Sequence, residues 1–402
     1  MGASSSTIGN FEHFSEKFQP TLCRLRIDEN LFFSPASIAL ALSMCAVGAR
    51  HLTLKQMLDV LGFRSIEDLI KTSEQVLNVF SVVSQDPSIQ MKLAHRLYVQ
   101  KSYQVEQDYL ELIQKSFSSD VQFEDFKIEL TRTISKINAW VEQQTDQLVN
   151  LTPLPDDIPK DAGLIVISCV YFKGTWESKF NEKLTDYNAT FYETNGTTSK
   201  VTLMVQREKF LYARNKSLRA QIVHIPYKHS SKDVQLMFTI ILPKAAAPIH
   251  RLEQKFTSKP QLLQNAMKLE NAKSRDLLLH VPKFKIESTF ELKSVLQRLR
   301  MKYPFDQNIA NFTGIVSSQD AGSQLLIDKV IHKAVIDVNE QGTDSDAVQA
   351  FSGSKATTFE GPWKKRPIVF RANRPFLFYI REVRQNVTLF AGKFGNNEIL
   401  SS

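Results

Sequence analysis

The order of secondary-structure patterns along the chain is the feature that most constrains its fold. Up to residue 147 helical periodicity dominates, and Thr53 opens a Thr-Leu-Lys-Gln sequence that predicts a helix start at a capping box. Helical segments are predicted at residues 11–23, 37–47, 108–116 and 130–147, with one strand at 92–100. From residue 164 strands take over, at 164–172, 190–204, 220–225, 235–242 and 277–286. Because helices and strands do not alternate as in βαβ units, this order predicts an α+β fold with antiparallel or mixed sheets.

The composition indicates one globular unit. Hydrophobic residues make up 43% and charged residues 23% of the 402 residues, values typical of a folded protein with a large core. No Gly-, Ser- or Pro-rich linker and no internal repeat divides the chain, so we expect a single domain over residues 1–402. The net charge of +8 is spread over short clusters without a nucleic-acid-binding motif. We therefore expect no nucleic-acid binding. Separately, we expect the protein to be a monomer.

A long segment between Val338 and Phe370 interrupts the pattern. Upstream, Val330, Ala334 and Ile336 share one parity with Val338, which predicts a buried strand, and residues 376–380 and 387–392 predict two more. The segment between them has no hydrophobic period. Connections longer than roughly 12–15 residues are uncommon in compact domains and are usually functional or disordered. This loop is therefore the first candidate for a functional segment.

Signals for cellular location point in different directions. The N-terminus lacks the apolar core of a signal peptide, and no later stretch is apolar for long enough to span a membrane. Gly2 and Ser6 fit an N-myristoylation pattern, and only that modification would attach the chain to a membrane. Asn-x-Ser/Thr sequons begin at Asn150, Asn188, Asn195, Asn215, Asn311 and Asn386. Both the cytoplasm and the extracellular space, reached by leaderless export, stay open.

A search for catalytic chemistry gives no positive signal. The sequence has no G-x-S-x-G, H-E-x-x-H or P-loop motif, and its three cysteines, Cys23, Cys45 and Cys169, predict buried free thiols rather than a disulfide framework. His332 lies in an apolar strand, where a hydrogen-bonded core histidine is expected rather than a general base. We predict no catalytic residue, no metal site and no cofactor.

Five segments carry a family resemblance that covers nearly the whole chain. They are NLFFSPASI at 30–38, NAWV at 138–141, VYFKGTW at 170–176, VPKF at 281–284 and RPFLF at 374–378. They resemble signature segments of the serpins, in the order that this family has them. The resemblance implies a fold of three β-sheets and about nine helices, with an exposed reactive-centre loop at about residues 341–366.

The resemblance also implies a mechanism. A serine protease attacks the loop and forms an acyl-enzyme, and the cleaved loop then inserts as a new strand into the main sheet before hydrolysis is complete. The distorted protease remains trapped, so the protein acts as a suicide inhibitor without catalytic turnover. Strand addition of this kind gains main-chain hydrogen bonds.

The hinge of such a loop corresponds to Glu340, Gly342, Thr343, Ser345 and Ala347. Gly342 supplies backbone freedom, and the next three are small and uncharged on one parity. The acidic residues Asp344 and Asp346 lie on the other parity, which suits a strand that buries one face. Against insertion, the alanine-rich stretch of inhibitory serpins is missing, and Gln349 is bulky for the inserting face.

The cleaved bond stays undecided between candidates. Counting from the hinge places Ala356 before the bond and Thr357 after it, which would suit an elastase-like protease. Lys355 would suit a trypsin-like protease and Phe359 a chymotrypsin-like one. Cleavage at Lys364, Lys365 or Arg366 would add about 8–10 residues of slack, roughly 30 Å, before the protease is pulled.

Other positions match a cluster beneath the centre of the main sheet, where strands must part. Ser34, Ser37 and His332 correspond to its polar residues, and Ser168 stands where the family usually has an asparagine. Trp176 matches a tryptophan at the top of the sheet, where insertion begins. The alternative function is that of a non-inhibitory serpin, a binding or chaperone-like protein. Asp346 and Gln349 favour this alternative.

Overall fold

The computed structural model describes residues 9–151, 158–245, 247–317, 324–340 and 366–396. Within these ranges the α-helices are α1 (Gly9–Leu25), α2 (Pro35–Gly48), α3 (His51–Leu61), α4 (Ile66–Ser84), α5 (Gln107–Phe117), α6 (Leu130–Gln144), α7 (Ile249–Ser258), α8 (Gln261–Met267) and α9 (Lys293–Arg298). The strands are β1 (Leu31–Phe33), β2 (Ile89–Gln100), β3 (Val121–Glu124), β4 (Leu164–Gly174), β5 (Asp186–Tyr192), β6 (Thr198–Asn215), β7 (Ala220–Pro226), β8 (Leu236–Pro243), β9 (Lys273–Pro282), β10 (Phe284–Glu291), β11 (Ile327–Val338), β12 (Ile368–Arg371), β13 (Phe376–Glu382) and β14 (Val387–Phe394). The predicted α+β class is confirmed.

The strands form a five-stranded and a nine-stranded hydrogen-bonded sheet. The five-stranded sheet has the order β10-β11-β4-β2-β3. The other has the order β1-β14-β13-β8-β7-β6-β9-β12, with β5 also paired to β6. The 18 residues of β6 pair with β5 and β9 along most of their length and with β7 only at residues 211–215. The nine-stranded sheet therefore has two regions that share β6, and with the five-stranded sheet they correspond to the three sheets expected.

Helix α2 occupies the centre of the molecule. Its sequence PASIALALSMCAVG has no charged residue, and all 14 of its residues are buried. The hydroxyl of Ser34 accepts a hydrogen bond from the Ser37 backbone N–H (3.1 Å) and so caps the first turn, where Pro35 occupies a position that needs no N–H donor. The chain therefore leaves β1 and enters α2 with both serines held beneath the five-stranded sheet.

The five-stranded sheet is covered on both faces at β11. Val330 and Ala334 belong to the main core, as the alternation in the sequence predicts, but Ile331 and Val335 are also fully buried. They belong to a second core in which α6 contributes residues such as Ile137 to the other face of the sheet. A strand buried on both faces carries apolar residues on both parities, and β11 does so at residues 330–331 and 334–336.

Three local predictions were wrong. Thr53 does not begin a helix, because α3 starts at His51 and the Thr53 hydroxyl instead accepts the Asn311 N–H (3.0 Å). The strand predicted at 190–204 is divided into β5 and β6 by a turn that contains Asn195 and Gly196, a turn signal that outweighs the strand pattern. Likewise the strand predicted at 277–286 is divided into β9 and β10 at Lys283. Among the described residues, no helix has the length and apolar character needed to cross a bilayer.

Candidate functional site

The strand β11 leads directly into the predicted loop. It ends at Val338, and Asn339 and Glu340 are the last described residues before the chain resumes at Arg366. Glu340 is therefore the only hinge position that the structure places. The hinge residues Gly342, Thr343, Ser345 and Ala347 and the cleavage candidates Lys355, Ala356, Thr357 and Phe359 lie outside the described residues.

On its inner side β11 pairs in parallel with β4. We call this pairing the seam; it joins residues 164–172 of β4 to residues 327–336 of β11. The neighbours on either side, β10 with β11 and β2 with β4, are antiparallel. A parallel pair is slightly less stable per residue than an antiparallel one. The strand that leads to the loop thus lies beside the weaker of its two ladders.

The predicted polar cluster lies at the middle of the seam. Ser168 and His332 are directly paired across it, and the Ser168 hydroxyl is 3.0 Å from His332 Nδ1. The same hydroxyl is 2.7 Å from the Ser37 hydroxyl in α2. The Ser34 N–H donates to His332 Nε2 (3.0 Å), while the Ser34 hydroxyl donates to the Leu389 carbonyl (2.6 Å) in β14. The shorter arm of Ser168 therefore reaches both partners, and the cluster links both sheets to α2.

Hydrogen bonding fixes the protonation state of His332. Because the Ser34 backbone N–H can only donate, Nε2 must be the unprotonated nitrogen, and Nδ1 then carries the proton and donates to Ser168. A second proton on Nε2 would face a donor. Burial of the side chain lowers the pKa of His332 to about 3. The imidazole is therefore a neutral structural group in the closed seam.

The lower end of the seam is held by Asp328, which the sequence analysis did not single out. Its carboxylate accepts the backbone N–H groups of Gly163 (2.7 Å) and Leu164 (3.2 Å), where β4 begins. The register of the seam shifts at this residue, between Ile327 and Lys329. Burial raises the pKa of the Asp328 carboxyl, and the two N–H donors act in the opposite direction. The sequence signal that could have identified Asp328 is a carboxylate within a strand of otherwise apolar pattern.

The upper end of the seam carries Trp176. Its side chain is buried, and its Nε1–H donates to the Asn339 carbonyl (2.8 Å), immediately after β11. The indole stacks on Tyr227 with ring centroids 4.5 Å apart and also contacts Phe180 and Phe238 edge-on. Lys173 of β4 forms an ion pair with Asp337 of β11 (3.6 Å), two residues before Asn339. The end of β11 is thus tied to an aromatic stack at the predicted entry point.

Glu340 anchors the start of the loop. Its carboxylate accepts from Lys283 (2.8 Å) and from the Thr185 hydroxyl (3.2 Å), and its carbonyl accepts the Phe180 N–H (3.1 Å). Burial is the largest single influence and would raise the pKa of Glu340, but the hydrogen bond and charge of Lys283, a backbone hydrogen bond and the Thr185 hydroxyl together outweigh it and lower the pKa. The carboxylate is therefore ionised, and the loop departs from a fixed point rather than from a loose chain.

The described residues contain no group of three or more side chains able to hold a metal ion. The three cysteines are free and buried, and burial raises the pKa of the Cys169 thiol to about 12. Such thiols are poor nucleophiles at neutral pH. What the geometry offers is a sheet in which the parallel seam between β4 and β11 is closed by polar contacts at its bottom, middle and top.

Solved structures with this architecture are serpins, and they place the protein in that fold class. AtSerpin1 of Arabidopsis, in its native stressed conformation, superimposes with a TM-score of 0.86 at 26% identity, covering 97% of this chain and 98% of that one. Uncleaved ovalbumin has the same fold, with a TM-score of 0.82 at 23% identity and coverage of 97% and 99%.

Sequence comparison agrees with the fold. The family model described as "Serpin (serine protease inhibitor)" matches residues 10–397. Serpin B4 of Homo sapiens is 31% identical over 388 residues, which cover 92% of this chain and 94% of the relative. Leukocyte elastase inhibitor A of Rattus norvegicus is 30% identical over 364 residues, covering 90% and 92%. The protein belongs to the serpin family, many of whose members inhibit proteases.

Proposed function

We propose that the protein is a suicide inhibitor of serine proteases and that the seam is where its cleaved loop inserts. The observation that carries this proposal is the parallel pairing of β4 with β11, the strand that leads into the loop. A chain that turns back after β11 runs antiparallel to it. Because β4 is parallel to β11, the returning chain would be antiparallel to β4 as well.

Insertion at the seam would therefore replace one parallel ladder by two antiparallel ones. The new strand would bond on both edges, and antiparallel pairs are the more stable kind. β4 and β11 have 11 and 12 residues, so a strand of similar length would find partners along both. No other pairing of β11 offers this gain, because β10 is already antiparallel to it.

The contacts that close the seam are of a kind that can be exchanged. Ser168, His332, Asp328 and Lys173 hold it by hydrogen bonds and an ion pair, each of which contributes only about 0.5–1.5 kcal/mol net in most proteins. We infer that Trp176 and Glu340 hold the first part of the loop until cleavage releases it. The sheet would then open from the top, where these residues lie.

In the proposed reaction the serine hydroxyl of the protease attacks a loop carbonyl. The peptide bond breaks, an ester joins the protease to the new C-terminal residue, and the amine of the following residue leaves. Ala356 is the favoured residue for the ester, with Lys355 and Phe359 as alternatives for trypsin-like and chymotrypsin-like proteases. Two relatives, each 30% identical to this chain, have names that refer to such proteases: leukocyte elastase inhibitor A of Rattus norvegicus and antichymotrypsin-2 of Bombyx mori.

The test is to incubate the protein with trypsin, chymotrypsin and pancreatic elastase, each in turn, and to analyse the products by denaturing gels and intact-mass spectrometry. We expect a covalent product near the summed masses with at least one protease, and the released C-terminal peptide identifies the bond. Loop cleavage without any covalent product, and without a gain in thermal stability, would contradict the proposal. It would favour the non-inhibitory serpin, a binding or chaperone-like protein.

A pair of hinge variants separates insertion from mere cleavage. Thr343→Arg places a charge on the parity that would be buried, and we expect it to be cleaved as a substrate without a covalent product. Asp344→Arg places the same side chain on the opposite parity and should still trap the protease. Equal behaviour of the two variants would contradict insertion in this register.

A further inference from the structure

A cavity of about 780 Å³ lies where three connections of the nine-stranded sheet meet. These are the turn after β5, the loop between β8 and α7, and the link between β12 and β13. The volume falls within the range of about 300–1,000 Å³ in which proteins bind small molecules. The described residues that line it include none of the seam, so the function proposed above gives this cavity no role. We call it the Arg374 cavity.

The walls of the Arg374 cavity are mostly apolar. Ile249 and three prolines contribute to them: Pro243, Pro248 and Pro375. Tyr192, the last residue of β5, also lines the cavity and is 55% exposed. An exposed phenol ring offers a flat face on which a planar ligand can pack. The walls therefore suit a ligand with an apolar body.

A half-buried cation, Arg374, lines the same cavity. Its Nε–H donates to the Pro243 carbonyl (2.7 Å), and Nη1 donates to the Arg371 carbonyl (3.3 Å) and to Asn373 Oδ1 (3.4 Å). All three acceptors are neutral, and within the described ranges no carboxylate pairs with the guanidinium and no acceptor bonds to its Nη2. Burial lowers the pKa of Arg374, and no carboxylate acts in the opposite direction. A partly buried charge of this kind favours an anionic ligand, because burying a charge is costly unless it is paired.

The other ionisable lining residues limit what this anion can be. Glu193 accepts the Thr197 hydroxyl (2.9 Å) across the turn after β5, and its charge opposes a ligand that carries several negative groups. Apart from Arg374, the exposed His250 is the only described lining residue that can become positive. A polyanion would therefore meet one permanent cation and one carboxylate. A ligand with a single carboxylate can instead bond to the guanidinium donors that Arg374 has left over.

We propose that the Arg374 cavity binds a small organic acid that carries one carboxylate on an aromatic or branched apolar body. The carboxylate accepts from the Arg374 guanidinium, whose planar donors match the geometry of the two oxygens. The apolar body packs against Tyr192 and the prolines of the walls. An uncharged ligand of the same shape fills the walls but leaves the guanidinium without a charged partner. The acid should therefore bind more tightly than the corresponding amide.

The experiment compares cinnamate with cinnamamide, which have the same planar body and differ in charge, in ligand-observed NMR titrations of the whole protein at neutral pH. We expect the acid to bind at least about tenfold more tightly than the amide. Arg374→Gln removes the charge and should weaken acid binding by about tenfold or more, while amide binding changes by less than about twofold. The matched control is Arg371→Gln, whose side chain pairs with Asp186 (3.7 Å) and is not among the described lining residues. It should change both affinities by less than about twofold.

A second pair of variants decides the question if Arg374→Gln does not fold, since Arg374 also holds the Pro243 carbonyl. Tyr192→Ser removes the exposed ring and should weaken binding of the acid and the amide alike, by about fivefold. Its matched control is Tyr187→Ser, near the other end of β5, where the side chain is 67% exposed and is not among the described lining residues. This control should leave both affinities unchanged.

Equal affinities for the acid and the amide would overturn the proposal, because the guanidinium would then take no part in binding. So would the failure of cinnamate to bind the unaltered protein at up to about 1 mM. If Arg374→Gln weakens binding no more than Arg371→Gln, or Tyr192→Ser no more than Tyr187→Ser, the ligand lies elsewhere and the assignment fails. None of these readouts involves a protease, so they stand apart from the function proposed above.

Discussion

The strands β13 and β14 and the seam share one core but are held in opposite ways. Both strands are buried along their whole length and pair antiparallel. Their phenylalanines contact others across the core, with ring centroids 5.0–6.4 Å apart: Phe32, Phe80, Phe172, Phe238, Phe284, Phe376, Phe378, Phe390 and Phe394. The seam is a parallel pair closed by polar contacts, of which those of Ser168 and His332 at its middle are fully buried. If β13 and β14 moved apart, their apolar packing would be lost with nothing to replace it. The polar groups of the seam can instead exchange their partners for the backbone of a new strand, so the seam is the part of the molecule suited to opening.

The largest expected effect concerns the antiparallel region. Phe378 is fully buried and contacts Phe32, Phe238 and Phe284, so Phe378→Ala should cost about 3–5 kcal/mol of unfolding free energy. Urea unfolding measures it, with Phe378→Leu as the control that retains most of the volume. Because β13 and β14 do not take part in opening the seam, the substitution should lower the unfolding free energy of the native and loop-cleaved forms by equal amounts. A loss confined to the native form would break the distinction.

The next effect is the pH dependence that the seam imposes. Since His332 has a pKa of about 3 when folded against 6.5 ordinarily, the unfolded chain binds a proton below about 6.5 that the folded chain refuses until about pH 3. Stability should therefore fall as pH decreases through this window and be unaffected by this residue above it. One pH unit corresponds to about 1.4 kcal/mol, so the loss between pH 6.5 and about 5 is ~2 kcal/mol from this group.

The variant His332→Gln tests this assignment. Its stability at neutral pH will differ because the hydrogen bonds to Ser34 and Ser168 change, so the useful quantity is the difference between the unfolding free energies at neutral and acid pH. That difference should shrink by ~2 kcal/mol relative to the unaltered chain. His224, whose pKa burial lowers to about 4, supplies a similar but separate dependence that remains in the variant. An unchanged difference would show that the imidazole is charged in the closed seam.

A smaller effect is expected at the lower end of the seam. Asp328→Ala removes the acceptor of the Gly163 and Leu164 N–H groups and should cost about 1–3 kcal/mol. Hydrogen exchange of these two amides should accelerate by roughly 5- to 150-fold, while amides of β13 keep their protection. Asp328→Asn retains an acceptor and should fall between. If β13 exchanges faster to the same extent, the seam and the antiparallel region do not open independently.

The sequence predicted the elements that repeat a pattern and missed what depends on tertiary partners. The apolar helix α2 and the buried strand β11 were found because burial leaves a periodic or continuous signal. The contacts among Ser34, Ser37, Ser168 and His332 followed from the family resemblance, since residues up to 298 positions apart have no local signal. Thr53 was misassigned because a hydroxyl that can cap a helix can equally accept the distant Asn311 N–H.

The smallest expected effect concerns the ion pair between Lys283 and Glu340. It tests whether this pair stabilises the end of β11 more than a surface ion pair would. Lys283, 47% exposed, donates to the nearly buried carboxylate of Glu340, so Lys283→Met should cost about 1 kcal/mol after allowance for solvent screening. The matched control is Lys285→Met, which removes an ion pair to Glu287 whose two side chains are both partly exposed, and it should change stability by less than about 0.5 kcal/mol.

Because the pKa of Glu340 is lowered, its contribution is present above the ordinary pKa of 4.5 and is lost as pH falls through the folded value. The difference between the two variants should therefore be present at neutral pH and vanish in acid, and urea unfolding at both pH values measures it. A difference that persists in acid would mean that Lys283 acts by packing, and that the loop is anchored by the Thr185 and Phe180 contacts alone.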